Sequence, residues 1–147
     1  MPDTNMDYGA IKAAREGRGF CQKLNKKTGI NAAVTVLTDA GLLRTTAAGY
    51  RDVIPCFYVN VNTDSDWVEF EIGYTVNADG SGTFTPLTSL FRVESGPSRV
   101  GTPPSVTNFP VPIIIDNDDG GAWTVRAQTN DAGASVTFGI NGWREEI

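Results

Sequence analysis

The hydrophobic pattern is clearest from Trp67 to Val76. There Val68, Phe70, Ile72, Tyr74 and Val76 alternate with Trp67, Glu69, Glu71, Gly73 and Thr75. Side chains alternate faces along a strand, so this period of two predicts one core face and one wet face. Shorter runs precede it at Ala33–Leu37, Leu42–Thr46 and Pro55–Asn62, the last with Phe57, Val59 and Val61 in phase. The turn at Asn77–Gly82 leads into Thr83–Val93, which Pro86 is expected to interrupt because proline cannot donate to a ladder. Pro110–Asp116, Ala122–Gln128 and Ala134–Trp143 read as three closing strands. Their separators, Asp118-Asp119-Gly120-Gly121 and Asn130-Asp131-Ala132-Gly133, are turn sequences.

About eight short strands with no intervening helical pattern predict an all-β fold, an antiparallel β-sandwich of jelly-roll type. The expected core is Phe57, Val59, Val61, Val68, Phe70, Ile72, Tyr74, Val125, Val136, Phe138 and Ile140, with Glu69, Glu71 and Arg126 outside. Ser95–Asn108, holding Pro97, Pro103 and Pro104, is the one long connection, either a functional loop or a crossover between sheets.

Charge divides the chain in a second way. Residues 1–27 carry six basic and three acidic side chains, +3, and residues 28–147 carry six and 14, −8; all four lysines lie in the first group. Tyr8–Glu16 could form two helical turns before Gly17 and Gly19 end them, and too short a helix is marginal without a partner. The expected organisation is therefore a basic arm, residues 1–30, ahead of an acidic β-sandwich domain, residues 31–147. In that reading the arm stays outside the core. Arg15, Arg18, Lys23, Lys26 and Lys27 would meet carboxylates on a partner, and Ile11, Phe20 and Leu24 would fill apolar notches. The competing reading lays the arm against its own acidic domain.

Composition narrows the chemistry. The 147 residues include no histidine and two cysteines, which removes histidine-based triads, the commonest zinc ligand and Cys-rich metal sites. A pI near 4.6 argues against a surface devoted to nucleic acid or anionic lipid, and no apolar run is long enough to span a membrane. The N-terminus lacks the apolar stretch of a signal peptide. Cys21 and Cys56 are expected as free thiols of a reducing compartment, a disulfide between them being the alternative.

Asn60–Asp66 with Glu71 loosely follows a calcium loop, but Ser65 stands where that loop needs glycine. Asp116–Gly121 lacks the closing acid, with Ala127 in its place. Glu69 and Glu71 point the same way from one strand, whereas a glycosidase needs carboxylates on opposite sides of a bond. Ser81 has no base to activate it. No catalytic residue, metal or cofactor is expected. Trp67, on the polar face of its strand, is a candidate for stacking on a sugar or filling a partner's pocket.

The basic N-terminal stretch, the acidic β domain and phrases such as VEFEIGYTVNADGSGTFTP and ASVTFGINGWREEI give an organisation that resembles small virion accessory proteins of tailed bacteriophages, the capsid decoration or cement proteins. The resemblance implies a jelly-roll or immunoglobulin-like domain with an extended terminus. It also implies homo-oligomeric, symmetric association with the major capsid protein or another virion protein, made in the host cytoplasm and located in the virion. The alternative is a carbohydrate- or receptor-binding β-sandwich module of a phage tail or head fibre.

Overall fold

The computed structural model describes residues 11, 12, 14–30, 34–95, 105–116 and 121–147, with backbone only for 105–110. It contains ten strands: β1 (Gly19–Lys27), β2 (Thr35–Val36), β3 (Arg44–Thr45), β4 (Tyr50–Val61), β5 (Trp67–Thr75), β6 (Phe84–Pro86), β7 (Phe91–Glu94), β8 (Ser105–Ile115), β9 (Ala122–Thr129) and β10 (Val136–Glu146). Sheet I runs β1-β10-β4-β8. Sheet II runs β2-β9-β5-β6, with β3 also on β9 and β7 also on β5. All the pairings are antiparallel.

Taking β2 with β3, and β6 with β7, as single interrupted strands leaves eight. Their order is 1-8-3-6 in one sheet and 2-7-4-5 in the other. This interleaving of sequence-distant strands is a jelly roll. Pro86 ends β6 and splits the expected Thr83–Val93 strand, because it lacks the N–H that the next ladder bond needs.

The two sheets enclose one core. Phe57, Val59, Val61, Val68, Phe70, Ile72, Val125, Val136, Phe138 and Ile140 are buried, as the alternation predicts, and Trp123 joins them. Tyr74 is half-buried at the core margin. Phe70 is the centre of an aromatic cluster, with ring centroids 5.2 Å from Phe57, 5.5 Å from Phe91 and 5.7 Å from Phe138. Val76 departs from the pattern and is 57% exposed. Strand β5 ends at Thr75, whose hydroxyl donates to Asn77 O at 2.9 Å and starts the turn one residue earlier than expected.

The N-terminal boundary also differs from the sequence reading. Residues 19–27, expected in an arm outside the core, form an outer strand of sheet I. Gly19 through Leu24 pair with Trp143 through Phe138. Ile30 is fully buried. The alternation in β1 escaped notice because only Phe20 and Leu24 among its inward positions are apolar, the third being Gln22, and because a bulge at Asn25–Lys27 breaks the period. Lys26 adopts a left-handed φ of 47° there.

Gly142 is what allows β1 to close. A Cβ at that position would stand 2.9 Å from the Phe20 ring and collide with the Val53 carbonyl. Phe20 instead lies over the glycine, 5.7 Å from Trp123, with the Arg44 guanidinium 4.0 Å from its ring centroid.

Several expectations fall partly on residues outside those described: the arm of residues 1–30 with its Tyr8–Glu16 helix, the start of the Ala33–Leu37 strand, the Asp116–Gly121 segment with its turn, and the Ser95–Asn108 loop. Of the first, Glu16 N donates to Lys12 O at 3.0 Å, closing one turn. Of the last, residues 105–108 belong to β8, so the loop is shorter than expected; Pro97, Pro103 and Pro104 lie outside the described residues.

Candidate functional site

Strand alternation separates the residues that sequence reasoning grouped as one partner-binding set. Phe20 and Leu24 face inward and pack against the core. Lys23 and Lys26 are exposed, and Lys27 Nζ is paired with Asp39 at 3.1 Å. Ile11 and Arg15 are exposed on the helical turn. Arg18 Nη1 reaches Glu16 at 2.5 Å and Glu146 at 3.3 Å, while Lys12 is 3.8 Å from Glu146. These contacts favour the competing reading for Lys12 and Arg18, which lie against their own domain. Trp67 stands on the outer face of sheet II, half-buried, with the Arg92 guanidinium 4.2 Å from its ring centroid. No single site unites the nine positions.

The charged residues of sheet II are tied to one another. Arg126 Nε donates to Glu71 at 2.7 Å, and its guanidinium lies 4.6 Å from the Phe84 ring. Arg92 donates to Glu69 at 3.0 Å and to Glu94 at 2.7 Å. Glu69 and Glu71 point outward side by side, as predicted, and line a shallow depression of about 280 Å³ with Val34, Leu90, Arg126 and Gln128.

A second ionic group lies between the sheets. Asp52 is 2% exposed and accepts from Arg44 Nε at 3.0 Å, Arg144 Nε at 2.8 Å and Trp123 Nε1 at 2.7 Å. Arg44 is on β3 and Arg144 on β10, so one carboxylate ties the two sheets together. Each buried oxygen is satisfied, which is what makes a buried charge tolerable. Glu145, also buried, accepts from Arg51 Nε at 2.6 Å and Trp143 Nε1 at 3.0 Å. These carboxylates serve the fold.

The Asn60–Asp66 segment that suggested calcium is held by side-chain hydrogen bonds, and most of the Asp116–Gly121 segment lies outside the described residues. Ser65 has a φ of 61°, and the Asp66 carboxylate accepts from Thr63 Oγ1 at 2.5 Å and Asn130 Nδ2 at 3.0 Å. Among the described residues no group of three or more acidic or cysteine side chains could hold a metal ion, and no helix is long and apolar enough to cross a membrane. In the β5–β6 turn, Asp79 accepts from Ser81 Oγ at 2.6 Å and Ser81 N at 3.0 Å. Those bonds favour the charged form and hold its pKa below the ordinary carboxylate value.

The edges of sheet I are unlike. Along β1, Lys23 N donates to Gly41 O at 2.8 Å, and Gln22 Nε2 to Leu43 O at 3.3 Å, so the β2–β3 connection covers that edge. At the other edge β8 pairs with β4 and with no other described strand. Four residues, Phe109–Pro112, bulge there opposite Pro55 alone. Val111 is 77% and Ile114 40% exposed on this strand.

The outer face of sheet I carries an arrangement that sequence reasoning missed. The registers place Cys21, Asn141 and Cys56 in one row across β1, β10 and β4, and Lys23, Gly139 and Tyr58 in the next. Asn25 and Thr137 lie one row further. Gly139 is thus the middle of the patch and contributes no side chain. The result is a depression of about 480 Å³ lined by Cys21, Lys23, Asn25, Tyr58, Thr137, Gly139 and Asn141. Both cysteines are free, as expected. A full strand lies between them, a separation of roughly 9–10 Å that a disulfide cannot bridge. Tyr58 and Gly139 are out of phase with the core residues Phe57, Val59, Phe138 and Ile140, which signals an outward face. Their adjacency required knowing that β4 and β10 are neighbours.

No family model matches the sequence, and no curated protein matches it. The fold is similar to solved structures of low identity. One is a chain of infectious bursal disease virus Gx strain, at 10% identity and a TM-score of 0.40, covering 84% of this chain and 33% of that one. Another is Desmodium yellow mottle tymovirus, at 14% and 0.39, covering 88% and 84%. A third is the Drosophila NLP core, at 15% and 0.35, covering 78% and 97%. The chain spans about a third of the length of the bursal disease virus chain. Likenesses this distant carry nothing about activity or partner.

Proposed function

We propose that this chain is a structural virion protein, a decoration or cement subunit that binds a capsid and adds to its stability by mass action. The observation that carries the reading is the pair of exposed apolar side chains on β8, Val111 and Ile114, on an outer strand of sheet I. The β1 edge is covered by the chain's own β2–β3 connection, while among the described residues no strand but β4 pairs with β8. Pro110, Pro112 and the bulge keep another strand from pairing along much of β8, so the contact in this reading is made by the exposed apolar side chains. In this reading β8 meets the major capsid protein or another copy of the chain, and exposed Ile11 and Arg15 extend the contact from the N-terminal segment.

A structural role also accords with the use of the buried carboxylates, since Asp52 and Glu145 are bound by arginine and indole donors. The test is gradient purification of virus particles from cells that make the protein, followed by quantitative mass spectrometry and cryo-electron microscopy. Symmetric, stoichiometric copies with β8 at the contact are expected. Val111→Asp with Ile114→Asp should abolish attachment without unfolding. Recovery of the protein only from particle-free fractions overturns the reading.

A further inference from the structure

The geometry points to a carbohydrate site on the outer face of sheet I, centred on Gly139 and suited to a sugar residue that carries a carboxylate. It is separate from the proposed capsid contact and does not involve Trp67.

The middle position of the patch is a glycine, which lines the depression without filling it. Gly139 is flanked in register by Lys23 on β1 and Tyr58 on β4, and its neighbour two residues on is Asn141. Gly139 itself is buried, and a Cβ there would make ordinary contact with the Tyr58 ring 3.6 Å away, so the tyrosine packs beside the glycine and walls the depression. Around it the side chains of Lys23, Asn25 and Asn141 are exposed. Thr137, at the far end, is already engaged: its oxygen accepts from Asn62 Nδ2 at 3.0 Å and from Lys26 N at 3.3 Å. Thr137 therefore shapes the wall, and the other polar groups provide recognition.

These groups suit a pyranose. An aromatic ring takes the C–H face of a sugar while its hydroxyl remains polar. A carboxamide offers both a donor and an acceptor, the pair of functions that vicinal hydroxyls present in return. The Lys23 ammonium supplies up to three donors and a charge. It would prefer a carboxylate on the ligand to a neutral group. A nucleic acid or polyphosphate would need several cations along its backbone. Among the side chains lining this depression the charged one is Lys23, in a chain of net charge −5.

The experiment titrates the intact protein with sialyllactose and oligogalacturonate, and in parallel with lactose and neutral galactan oligosaccharides. Calorimetry and amide chemical shifts are the readouts. Saturable binding of at least one acidic sugar is expected, with shifts confined to β1, β4 and β10. Tyr58→Ala should weaken it by about tenfold, the loss of one stacked ring. Gly139→Ala fits without strain, since its Cβ makes ordinary contact, and should weaken binding by occupying the depression. Lys23→Gln should remove the preference for acidic over neutral partners, while Trp67→Ala should change nothing. Thermal melts establish that each variant is folded. Absence of binding at millimolar sugar overturns the site, as does binding that survives both Tyr58→Ala and Gly139→Ala. Equal affinity of the wild type for neutral and acidic partners overturns the role given to Lys23.

Discussion

Two N-terminal truncations separate an arm from a strand. Removing residues 1–17 takes away the Lys12–Glu146 and Glu16–Arg18 pairs, which are surface contacts worth at most about 1 kcal/mol together. Removing residues 1–27 takes away β1. Half-buried Phe20 and Leu24 then lose about 1–1.5 kcal/mol each at ~25 cal/mol per Å² of apolar surface. The Phe20–Trp123 ring pair adds about 0.5–1.5 kcal/mol and Arg44 over Phe20 about 0.5–1. The ladder to β10 adds about 0.5–1.5 kcal/mol per backbone bond. Even the low ends of these ranges reach about 5 kcal/mol, the lower limit of a whole domain's stability. The shorter truncation should melt cooperatively within about 3 °C of the full chain, and the longer should lack a cooperative transition. Circular dichroism and calorimetry distinguish the two. A longer truncation that melts cooperatively near the full-length temperature would refute the strand assignment and restore an arm of 30 residues.

Phe70→Ala should destabilise by about 3–5 kcal/mol in urea unfolding, because the ring is fully buried against Phe57, Phe91 and Phe138; a loss below 1 kcal/mol would mean the core is centred elsewhere. Asp52→Asn leaves Arg44 and Arg144 facing each other without their counter-charge, and should cost about 3–5 kcal/mol at neutral pH by the same assay. An unchanged unfolding midpoint would show that Asp52 does not join the sheets. The Asp79 carboxylate has a folded-state pKa below its unfolded value, so its contribution is complete above the unfolded pKa and is lost as pH falls through the folded one. Ser81→Ala removes the hydroxyl bond and keeps the N–H bond, so the Asp79 titration, followed by carboxyl carbon NMR, should move up toward the ordinary range; identical curves for both proteins would disprove the hydroxyl's part in the shift.

Alternation made most of the sandwich legible where both phases of a strand are chemically distinct. In β5 apolar Val68, Phe70 and Ile72 oppose charged Glu69 and Glu71, and a one-residue slip would have buried both glutamates. Strand β1 lacked that contrast. Its outward residues include Cys21 and Asn25 rather than a run of charges, its inward set includes Gln22, and its bulge shifts the phase before the strand ends. The lysines then drew attention to charge, although Lys23 and Lys26 are simply outward positions of an outer strand and Lys27 is paired within the domain. Basic side chains on an edge discourage unwanted pairing, and the same residues in a linear reading look like a tail.

Binding surfaces on a sheet are harder to read than its core because they depend on strand neighbours as well as phase. Lys23, Tyr58 and Gly139 are 35 or more residues apart in sequence, and each is unremarkable on its own strand. Jelly-roll interleaving places β10 between β1 and β4, and only then does a glycine become the centre of a depression. The same interleaving fixes which strands lie at the edges of sheet I. Because β8 follows β4 in the sheet while β1 is roofed by residues 41–43, the two flanks differ in what they can accept. Under the proposed function, that difference would give the chain's association a direction. The two proposed surfaces, the β8 strand and the depression between β1, β10 and β4, share no residue, so the capsid contact and the sugar site can be tested by separate substitutions.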